Sequence, residues 1–196
     1  MHFPAIFHNV GNTLFTSFDQ ASGMQKIHVV QGEYHVTGKP DICLSTILGS
    51  CVAACVRDVD AGIGGMNHFL LPGDASTDGL RYGVQSMELL INALLRAGAR
   101  RDRLEAKLFG GARIVAGLSD IGAQNIKFAQ RFLADEGIPY AGGSLGGTQA
   151  RRIQYWPYDG RARQTFIGEG ESGVVEAERR RPMPVVEPAS GALELF

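Results

Sequence analysis

Cysteine is scarce in this sequence: only Cys43, Cys51 and Cys55 occur among its 196 residues. An odd and small number of cysteines argues against a disulfide framework. Cys51 and Cys55 would lie roughly 13 Å apart on an extended strand, at ~3.3 Å per residue. A disulfide spans no more than roughly 7 Å between its Cα atoms. We therefore expect free thiols, which are the default in a reducing compartment.

Long apolar runs and an excess of charge of either sign are also missing. No run approaches the ~20 apolar residues that a membrane-spanning helix needs. The formal net charge is −1, so no global field attracts nucleic acid or an anionic membrane. The N-terminal residues lack the basic region of a secretory signal, and polar residues interrupt their apolar ones. We therefore expect a cytoplasmic monomer that binds no nucleic acid and inserts into no membrane.

Metal and nucleotide motifs are a third absence. The sequence holds no compact CxxC or HxxxH pair, and Cys51 and Cys55 on one strand are too far apart to share a zinc ion readily with His68. The glycine pairs at 110–111 and 146–147 belong to neither a GxGxxG motif nor a Walker motif. Simple turns and a close backbone approach to a site are both open readings of these glycines. We expect no metal and no organic cofactor, with zinc at the three named residues as the minor alternative.

Apolar residues are plentiful, at 44% of the chain, which fits one globular domain with a real core. The predicted strands span 27–36, 41–47, 51–56, 64–69, 104–109, 139–147, 152–156 and 163–167, and apolar residues at helical spacing predict helices over 81–97 and 120–135. We expect an α/β (α+β) fold, a single layered domain of β-hairpins and a mixed sheet with two main helices. Outside this domain, which we place at 27–168, we expect a flexible arm over 1–26 and a charged, disordered tail over 169–196.

One predicted hairpin brings together two residues that can carry chemistry. Its strands are the apolar runs 51–56 and 64–69, joined by a polar loop that contains glycine. A turn centred on Val59 and Asp60 would place Cys51 opposite His68, with Cβ atoms roughly 4.5–5.5 Å apart. A slip of one residue would move one of these side chains to the other face of the sheet. The register is therefore a hypothesis that a structure can test.

Cys51 and His68 form a candidate nucleophile and base. The thiolate is the reactive form of cysteine, and a nearby imidazole favours that form and carries protons. Backbone N–H groups around Gly49 and Ser50 can hold a developing oxyanion, and the glycine permits the tight backbone that such a site needs. A buried structural cysteine and a hydrogen-bonded strand histidine are the alternative readings of the same residues.

Several segments of the sequence resemble the CheD family, the chemoreceptor glutamine deamidases of bacterial chemotaxis. They are LGSCVA at 48–53, GMNHFLLP at 65–72, RYG at 81–83 with ME at 87–88, EAKLFGGA at 105–112, IGAQN at 121–125 and LGG at 145–147. The resemblance covers about residues 28–167 in order, which makes it more specific than any single motif. It implies a layered α/β fold similar to the deamidase domain of cytotoxic necrotizing factor toxins.

The resemblance also implies a set of catalytic residues, with Cys51 as nucleophile and His68 as base. In the family the third group is a threonine six residues before the cysteine, and that position is Ser45 here, with Thr46 next to it. Because successive strand side chains alternate, only one of these two hydroxyls faces the imidazole. We take Ser45 as the third residue, with Thr46 as the alternative. The oxyanion and substrate-binding residues are placed at Gly49, Ser50 and Asn67.

The activity that the resemblance implies is the hydrolysis of glutamine side chains to glutamate on methyl-accepting chemotaxis receptors. The family uses a cysteine thioester and no cofactor, and in some bacteria its partner is a CheC-type phosphatase. We therefore expect a protein-glutamine glutaminase that takes part in chemotaxis adaptation. A non-catalytic regulatory module that binds receptors or CheC is the alternative, and a thiol protease is a weaker third possibility.

Overall fold

The computed structural model describes residues 7–8, 15–19, 23–71, 77–114 and 121–168. Its strands are β1 Phe7–His8, β2 Phe15–Asp19, β3 Met24–His28, β4 Tyr34–Thr37, β5 Ile42–Leu48, β6 Val52–Asp58, β7 Ile63–Asn67, β8 Leu104–Gly110, β9 Tyr140–Leu145, β10 Arg151–Trp156 and β11 Arg161–Phe166. The helices are α1 Thr77–Arg96 and α2 Ile121–Asp135, and a 3-10 turn covers Arg101–Arg103. Both predicted helices are confirmed, and α1 begins one turn earlier than expected. Neither helix has the length and apolarity needed to cross a membrane.

The described strands form two mixed sheets. Six strands in the order β1-β4-β7-β6-β8-β9 make the first sheet, and five in the order β11-β10-β5-β3-β2 make the second. Most neighbours are antiparallel, while the β8–β9 and β3–β5 pairs are parallel. The prediction of an α+β fold with two main helices is confirmed. The expected mixed pairing of strands is also present, and the strands divide between two sheets.

The first sheet is the middle of three layers. On β6, Val52 and Val56 face the helical layer, where they join a buried cluster that contains Leu94 of α1. The alternate residues, Ala53 and Cys55, face the second sheet. Because successive strand side chains point to opposite faces, a strand that is apolar at nearly every position suits this central layer, covered by helices on one side and a sheet on the other.

The segment predicted as one strand over 27–36 is two strands in different sheets. β3 belongs to the second sheet and β4 to the first, and between them the Glu33 N–H donates to the Val30 carbonyl at 3.0 Å. Gly32 has φ 87° in this turn, in the left-handed region that glycine adopts without strain. The prediction of a single strand is wrong because apolar residues lie on both sides of the polar segment 31–33, and Gly32 marks the turn within it.

Part of the segment assigned to a flexible arm consists of paired strands. β2 pairs with β3, and the short β1 pairs with β4, both antiparallel. The other residues of that segment up to residue 22 lie outside the described residues, as does the predicted tail over 169–196. The bounds of the domain, 27–168, stay a prediction.

The hairpin of β6 and β7 is confirmed, but its predicted register is wrong. Asp58 stands opposite Ile63, and the bridge between Val52 and Phe69 continues the same register. The turn is therefore centred one residue later than predicted, and this register places residue 70, not His68, opposite Cys51. A shift of two positions keeps the side-chain alternation, so Cys51 and His68 still share the face that looks toward the second sheet.

Candidate active site

The candidate nucleophile, Cys51, lies between the end of β5 and the start of β6, after the bend at Gly49 and Ser50. The residue keeps 9% of its surface exposed, compared with 2% for Cys43 and 1% for Cys55. None of the three cysteines forms a disulfide. Of the three, Cys51 is thus the one that a ligand from solution reaches most readily.

Hydrogen bonds to three successive backbone carbonyl groups, those of residues 49–51, hold the backbone around Cys51. The Gly49 carbonyl accepts from the Ala112 N–H at 2.8 Å, and the Cys51 carbonyl accepts from the Gly111 N–H at 2.7 Å. Between them, the Ser50 carbonyl accepts from Asn125 Nδ2 at 2.9 Å. In a trans peptide the N–H points away from the preceding carbonyl. The N–H groups of Ser50 and Cys51 therefore point away from residues 111–112 and from α2.

Gly110 makes this close approach possible. A Cβ atom at this position would lie 2.2 Å from the Cys51 carbonyl oxygen, and the residue has φ 105°. Any other L-residue would meet both the steric clash and the backbone strain. Of the two readings that the sequence left open for the glycines at 110–111, a close backbone approach to the site holds at Gly110.

His68 is buried beyond the end of β7, and Thr46 of the second sheet fixes its ring. Thr46 Oγ1 donates to the Val29 carbonyl at 2.7 Å, which uses the only hydroxyl proton. It must then accept from the proton on His68 Nδ1, which lies 2.9 Å away. The Val29 carbonyl also lies 3.4 Å from Nδ1, and a carbonyl beside that nitrogen favours a proton on it. The network therefore assigns the Nδ1–H tautomer, in which Nε2 is the basic nitrogen.

The structure does not bring two of the other predicted site residues, Ser45 and Asn67, to this face. Ser45 is buried, and as the neighbour of Thr46 on β5 its side chain points to the opposite side of the second sheet. Asn67 points into the helical layer, where its Oδ1 accepts from the Ala54 N–H at 2.9 Å and its Nδ2 donates to the Ser86 carbonyl at 3.2 Å. The Asn67 side chain therefore ties β6 to α1 and lies on the face away from Cys51.

Sequence reasoning missed the turn between β3 and β4. The Cys51 thiol donates to Oε1 of Gln31 at 3.5 Å, and Val29 supplies the carbonyl that orients Thr46. The signal available in the sequence was the glycine that interrupts the predicted strand, Gly32. Because the predicted strand 27–36 runs through Gly32, the residues beside it were not considered as site residues.

Tyr82 of α1 is a second residue that sequence reasoning left without a role. Its hydroxyl is buried, and it has no hydrogen-bond partner among the described residues. Burial raises the pKa of the Tyr82 hydroxyl, and the nearby Cys51 thiol raises it further. Tyr82 is thus close enough to Cys51 for the two groups to influence each other electrostatically. The residue lies in the RYG segment at 81–83, which contributed to the family resemblance but suggested no chemical role for Tyr82.

The remaining thiols are in environments that suppress reactivity. Burial raises the pKa of Cys43 to about 11, although Lys26 opposes the shift. Burial also raises the pKa of Cys55, which faces the second sheet from β6. A raised thiol pKa means little thiolate at neutral pH. Among the described residues, no group of three or more His, Cys, Asp or Glu side chains is placed to hold a metal ion.

Comparisons with known proteins agree on one family. A family model described as "CheD chemotactic sensory transduction" matches residues 70–165. The chain is 54% identical over 177 residues to the "Probable chemoreceptor glutamine deamidase CheD" of Rhizobium rhizogenes, covering 88% of this chain and 96% of that protein. It is 52% identical over 187 residues to the protein of the same name from Caulobacter vibrioides, covering 92% of this chain and 100% of that protein.

Solved structures show only weaker likeness. The Bacillus licheniformis hypothetical protein YfiH matches with a TM-score of 0.39 and 14% identity, covering 57% of this chain and 49% of that one. A Neisseria meningitidis protein of the DUF152 family matches with a TM-score of 0.41 and 16% identity, covering 66% of this chain and 65% of that one.

Proposed function

Because the chain belongs to the CheD family, we propose that it is a protein-glutamine deamidase that hydrolyses glutamine side chains of chemoreceptors. The relatives carry the name chemoreceptor glutamine deamidase. The observation that carries the proposal is the hydrogen bond between Thr46 and His68 Nδ1 at 2.9 Å, because it presents a basic Nε2 on the face that also carries Cys51. A thiol and an oriented imidazole are the groups that nucleophilic attack on an amide needs.

The first half of the reaction forms a thioester. His68 Nε2 takes the thiol proton, and the Cys51 sulfur attacks the side-chain carboxamide carbon of a receptor glutamine. The N–H groups of Ser50 and Cys51, which point away from the segment that holds their carbonyls, stabilise the oxyanion. His68 then returns the proton to the leaving nitrogen, the C–N bond breaks, and ammonia departs.

The second half regenerates the enzyme. His68 Nε2 takes a proton from water, and the resulting hydroxide attacks the thioester carbonyl. The C–S bond breaks, the receptor side chain leaves as glutamate, and the thiol is restored. The net reaction is glutamine plus water to glutamate plus ammonia, so it needs no metal or organic cofactor as a reactant. Each event adds a carboxylate to the receptor helix and creates a site for methylation, which is the role in adaptation that we propose.

The setting of the enzyme belongs to the same proposal. We place it in the cytoplasm as a monomer, with methyl-accepting chemotaxis receptors as substrates and a CheC-type phosphatase as a possible partner. The layered arrangement of helices and two sheets is compatible with the proposed similarity to the cytotoxic necrotizing factor deamidase domain.

Replacing the nucleophile tests the proposal directly. Cys51→Ala should lower ammonia release from a receptor fragment by about 10⁵-fold or more, as loss of a catalytic nucleophile does. The receptor fragment should also lose the mass gain that replacement of –NH₂ by –OH produces. Cys43→Ala removes a buried thiol elsewhere and is the matched control, which should keep its turnover.

Two outcomes would contradict the deamidase proposal. Turnover retained in folded Cys51→Ala would remove the nucleophile assignment. Normal receptor signalling supported by a folded but inactive Cys51→Ala variant would favour the non-catalytic binding module. Circular dichroism establishes that each variant is folded before activity is compared.

A further inference from the structure

The turn between β3 and β4 places a glutamine side chain on the candidate nucleophile. Gln31 Oε1 lies 3.5 Å from Cys51 Sγ, and the Gln31 side chain is half-buried. The contact joins Gln31, in the turn between β3 and β4, to Cys51, which directly precedes β6. It brings a second carboxamide to a sulfur whose proposed reaction is with a carboxamide.

The backbone of this turn is fixed to His68 in both directions. The Gly32 N–H donates to the His68 carbonyl at 2.7 Å, and the His68 N–H donates to the Glu33 carbonyl at 3.1 Å. The Val30 N–H donates to the Glu33 carboxylate at 3.3 Å, which closes the turn from within. Because Val29 holds the Thr46 hydroxyl as well, one short segment sets the backbone of His68, the ring of His68 and the position of Gln31. A side chain on such a support is well placed relative to the reacting atoms.

A carboxamide can serve both protonation states of the sulfur. While the thiol carries its proton, S–H donates to the amide oxygen, as the present contact has it. When the proton has moved to His68, the thiolate needs a donor. A half-turn about the terminal side-chain torsion exchanges the amide oxygen for the NH₂ group, and this torsion is soft. In the tetrahedral intermediate the oxyanion and the sulfur are bonded to the same carbon atom. A donor that reaches the sulfur is therefore also close to that oxygen.

We propose that Gln31 is a further catalytic residue, whose side-chain NH₂ donates a hydrogen bond to the Cys51 thiolate and then to the oxyanion formed from the substrate carboxamide. This rests on the proposed deamidase function. Gln31 neither gains nor loses a proton, and no bond is made to it. It adds a side-chain donor to the backbone donors of Ser50 and Cys51, and it links the nucleophile to the turn that holds the base.

Two variants of Gln31 and one control test the proposal. Gln31→Met keeps the length of the side chain without a donor, so kcat should fall by about 10²–10³-fold with little change in KM, as on removal of an oxyanion-hole donor. Gln31→Glu presents only hydrogen-bond acceptors to the sulfur, so its kcat should fall at least as far as that of Gln31→Met. Gln154→Met is the matched control, since Gln154 is also half-buried but lies on β10 between the inward-facing Ile153 and Tyr155, and it should keep its kcat.

A second readout does not require the receptor. The rate of alkylation of Cys51 by iodoacetamide is followed against pH by peptide mass analysis, which separates Cys51 from Cys43 and Cys55. Loss of the donor in Gln31→Met should move the midpoint of this profile to higher pH, and the carboxylate of Gln31→Glu should move it further. His68, Glu33 and Tyr82, the titratable groups of the site and its turn, are unchanged in both variants.

The outcomes separate this proposal from the proposed function. If the parent protein fails to deamidate a receptor fragment but the alkylation midpoint moves as expected, the deamidase function fails while the contact between Gln31 and the thiolate stands. If both kcat and the midpoint are unchanged in folded Gln31→Met, the catalytic role of Gln31 is overturned. A mass gain at Gln31 in the parent that is absent in Cys51→Ala would identify Gln31 as an internal substrate and would also overturn the proposal.

Discussion

At the scale of single residues, the side of a strand on which a hydroxyl lies decides its chemistry. Thr46 contacts His68 Nδ1 at 2.9 Å, while its neighbour Ser45 faces the opposite side of the second sheet. The sequence could not choose between them, because β5 carries apolar residues on both of its faces. Ile42 and Leu44 face the first sheet, and Ile47 belongs to a separate buried cluster. When both faces of a strand are buried, the alternation of its side chains does not show which face carries the site.

We expect Thr46→Val to impair catalysis more than Ser45→Ala. The valine keeps the shape of the side chain but removes the nearer acceptor of His68 Nδ1, and only the Val29 carbonyl at 3.4 Å remains to favour the tautomer. We expect kcat/KM to fall by about 10- to 100-fold, part of the roughly 10²–10⁴ that a positioned acid–base residue contributes. Ser45→Ala should stay within a few-fold of the parent, and Thr46→Ser, which retains the hydroxyl, should recover most of the loss.

The pH profile distinguishes positioning of the ring from a general loss of packing. Thr46→Val should move the limb of the kcat/KM profile that reports the His68 base, whereas a purely structural change would lower the whole profile without moving it. Greater loss in Ser45→Ala than in Thr46→Val would transfer the third role back to Ser45.

At the scale of elements, the structure separates what local patterns determine from what they do not. The bounds of β5, β8 and α2 follow from apolar patterns that the sequence predicted closely, while α1 begins one turn earlier than predicted. The β6–β7 register was missed because it depends on one side chain in the turn. Asp58 Oδ1 accepts from the Asp60 N–H at 3.0 Å and the Ala61 N–H at 2.9 Å, and these bonds set a longer turn than a simple hairpin pattern indicates. Assignment of strands to two sheets is likewise a tertiary property, which no local pattern in the sequence records.

We expect Asp58→Asn to destabilise the protein by about 1–3 kcal/mol near neutral pH, because a buried acceptor site is lost. The Asp58 Oδ2 atom accepts from the Arg100 N–H at 2.8 Å, and an Asn NH₂ group in that place would face a donor. Asp60→Asn is the control, since Asp60 is exposed and its ion pair with Arg103 spans 3.4 Å. Such a surface pair contributes less than about 1 kcal/mol.

The same carboxylate predicts a dependence on pH. Burial alone would raise the pKa of Asp58, but donation from the N–H groups of Arg100, Ala61 and Asp60, with the charge of Arg103, lowers it overall. A lowered pKa in the folded state stabilises the protein fully above the unfolded-state pKa of about 3.9, and this stabilisation is lost as the pH falls through the folded-state value. Urea unfolding between neutral and acidic pH should therefore show a shallower acid loss in Asp58→Asn than in the parent. An equal acid loss in both proteins would contradict this assignment.

At the scale of the whole molecule, the candidate site is assembled at the junction of the two sheets. Cys51 directly precedes β6 and His68 directly follows β7 of the first sheet, while Thr46 lies on β5 of the second sheet and Val29 directly follows β3. The buried cluster between the sheets therefore sets the distance between the base and the hydroxyl that orients it. The helical layer packs on the opposite face of the first sheet. It contacts the site at Asn125 of α2, which donates to the Ser50 carbonyl, whereas Leu94 lies in the separate cluster under the helices.

Two matched cavity substitutions separate these layers. Leu44 lies in the cluster between the sheets and Leu94 in the helical layer, and both are fully buried. Each Leu→Ala change should cost about 2–5 kcal/mol of unfolding free energy. A misplacement of about 1 Å can cost ~10² in rate, so Leu44→Ala should lower kcat per folded molecule by about tenfold or more. Leu94→Ala should leave kcat per folded molecule near that of the parent.

The measurement compares the two variants at a temperature where both are folded, with the folded fraction taken from circular dichroism and turnover from ammonia release. Equal loss of kcat in Leu44→Ala and Leu94→Ala would mean that the site responds to global stability and not to the spacing of the sheets. Loss confined to Leu44→Ala would mean that the sheet junction holds the catalytic geometry. In that case the Thr46–His68 distance is a property of the domain as a whole, which explains why the alternation of side chains along β5 could not by itself choose Thr46 over Ser45.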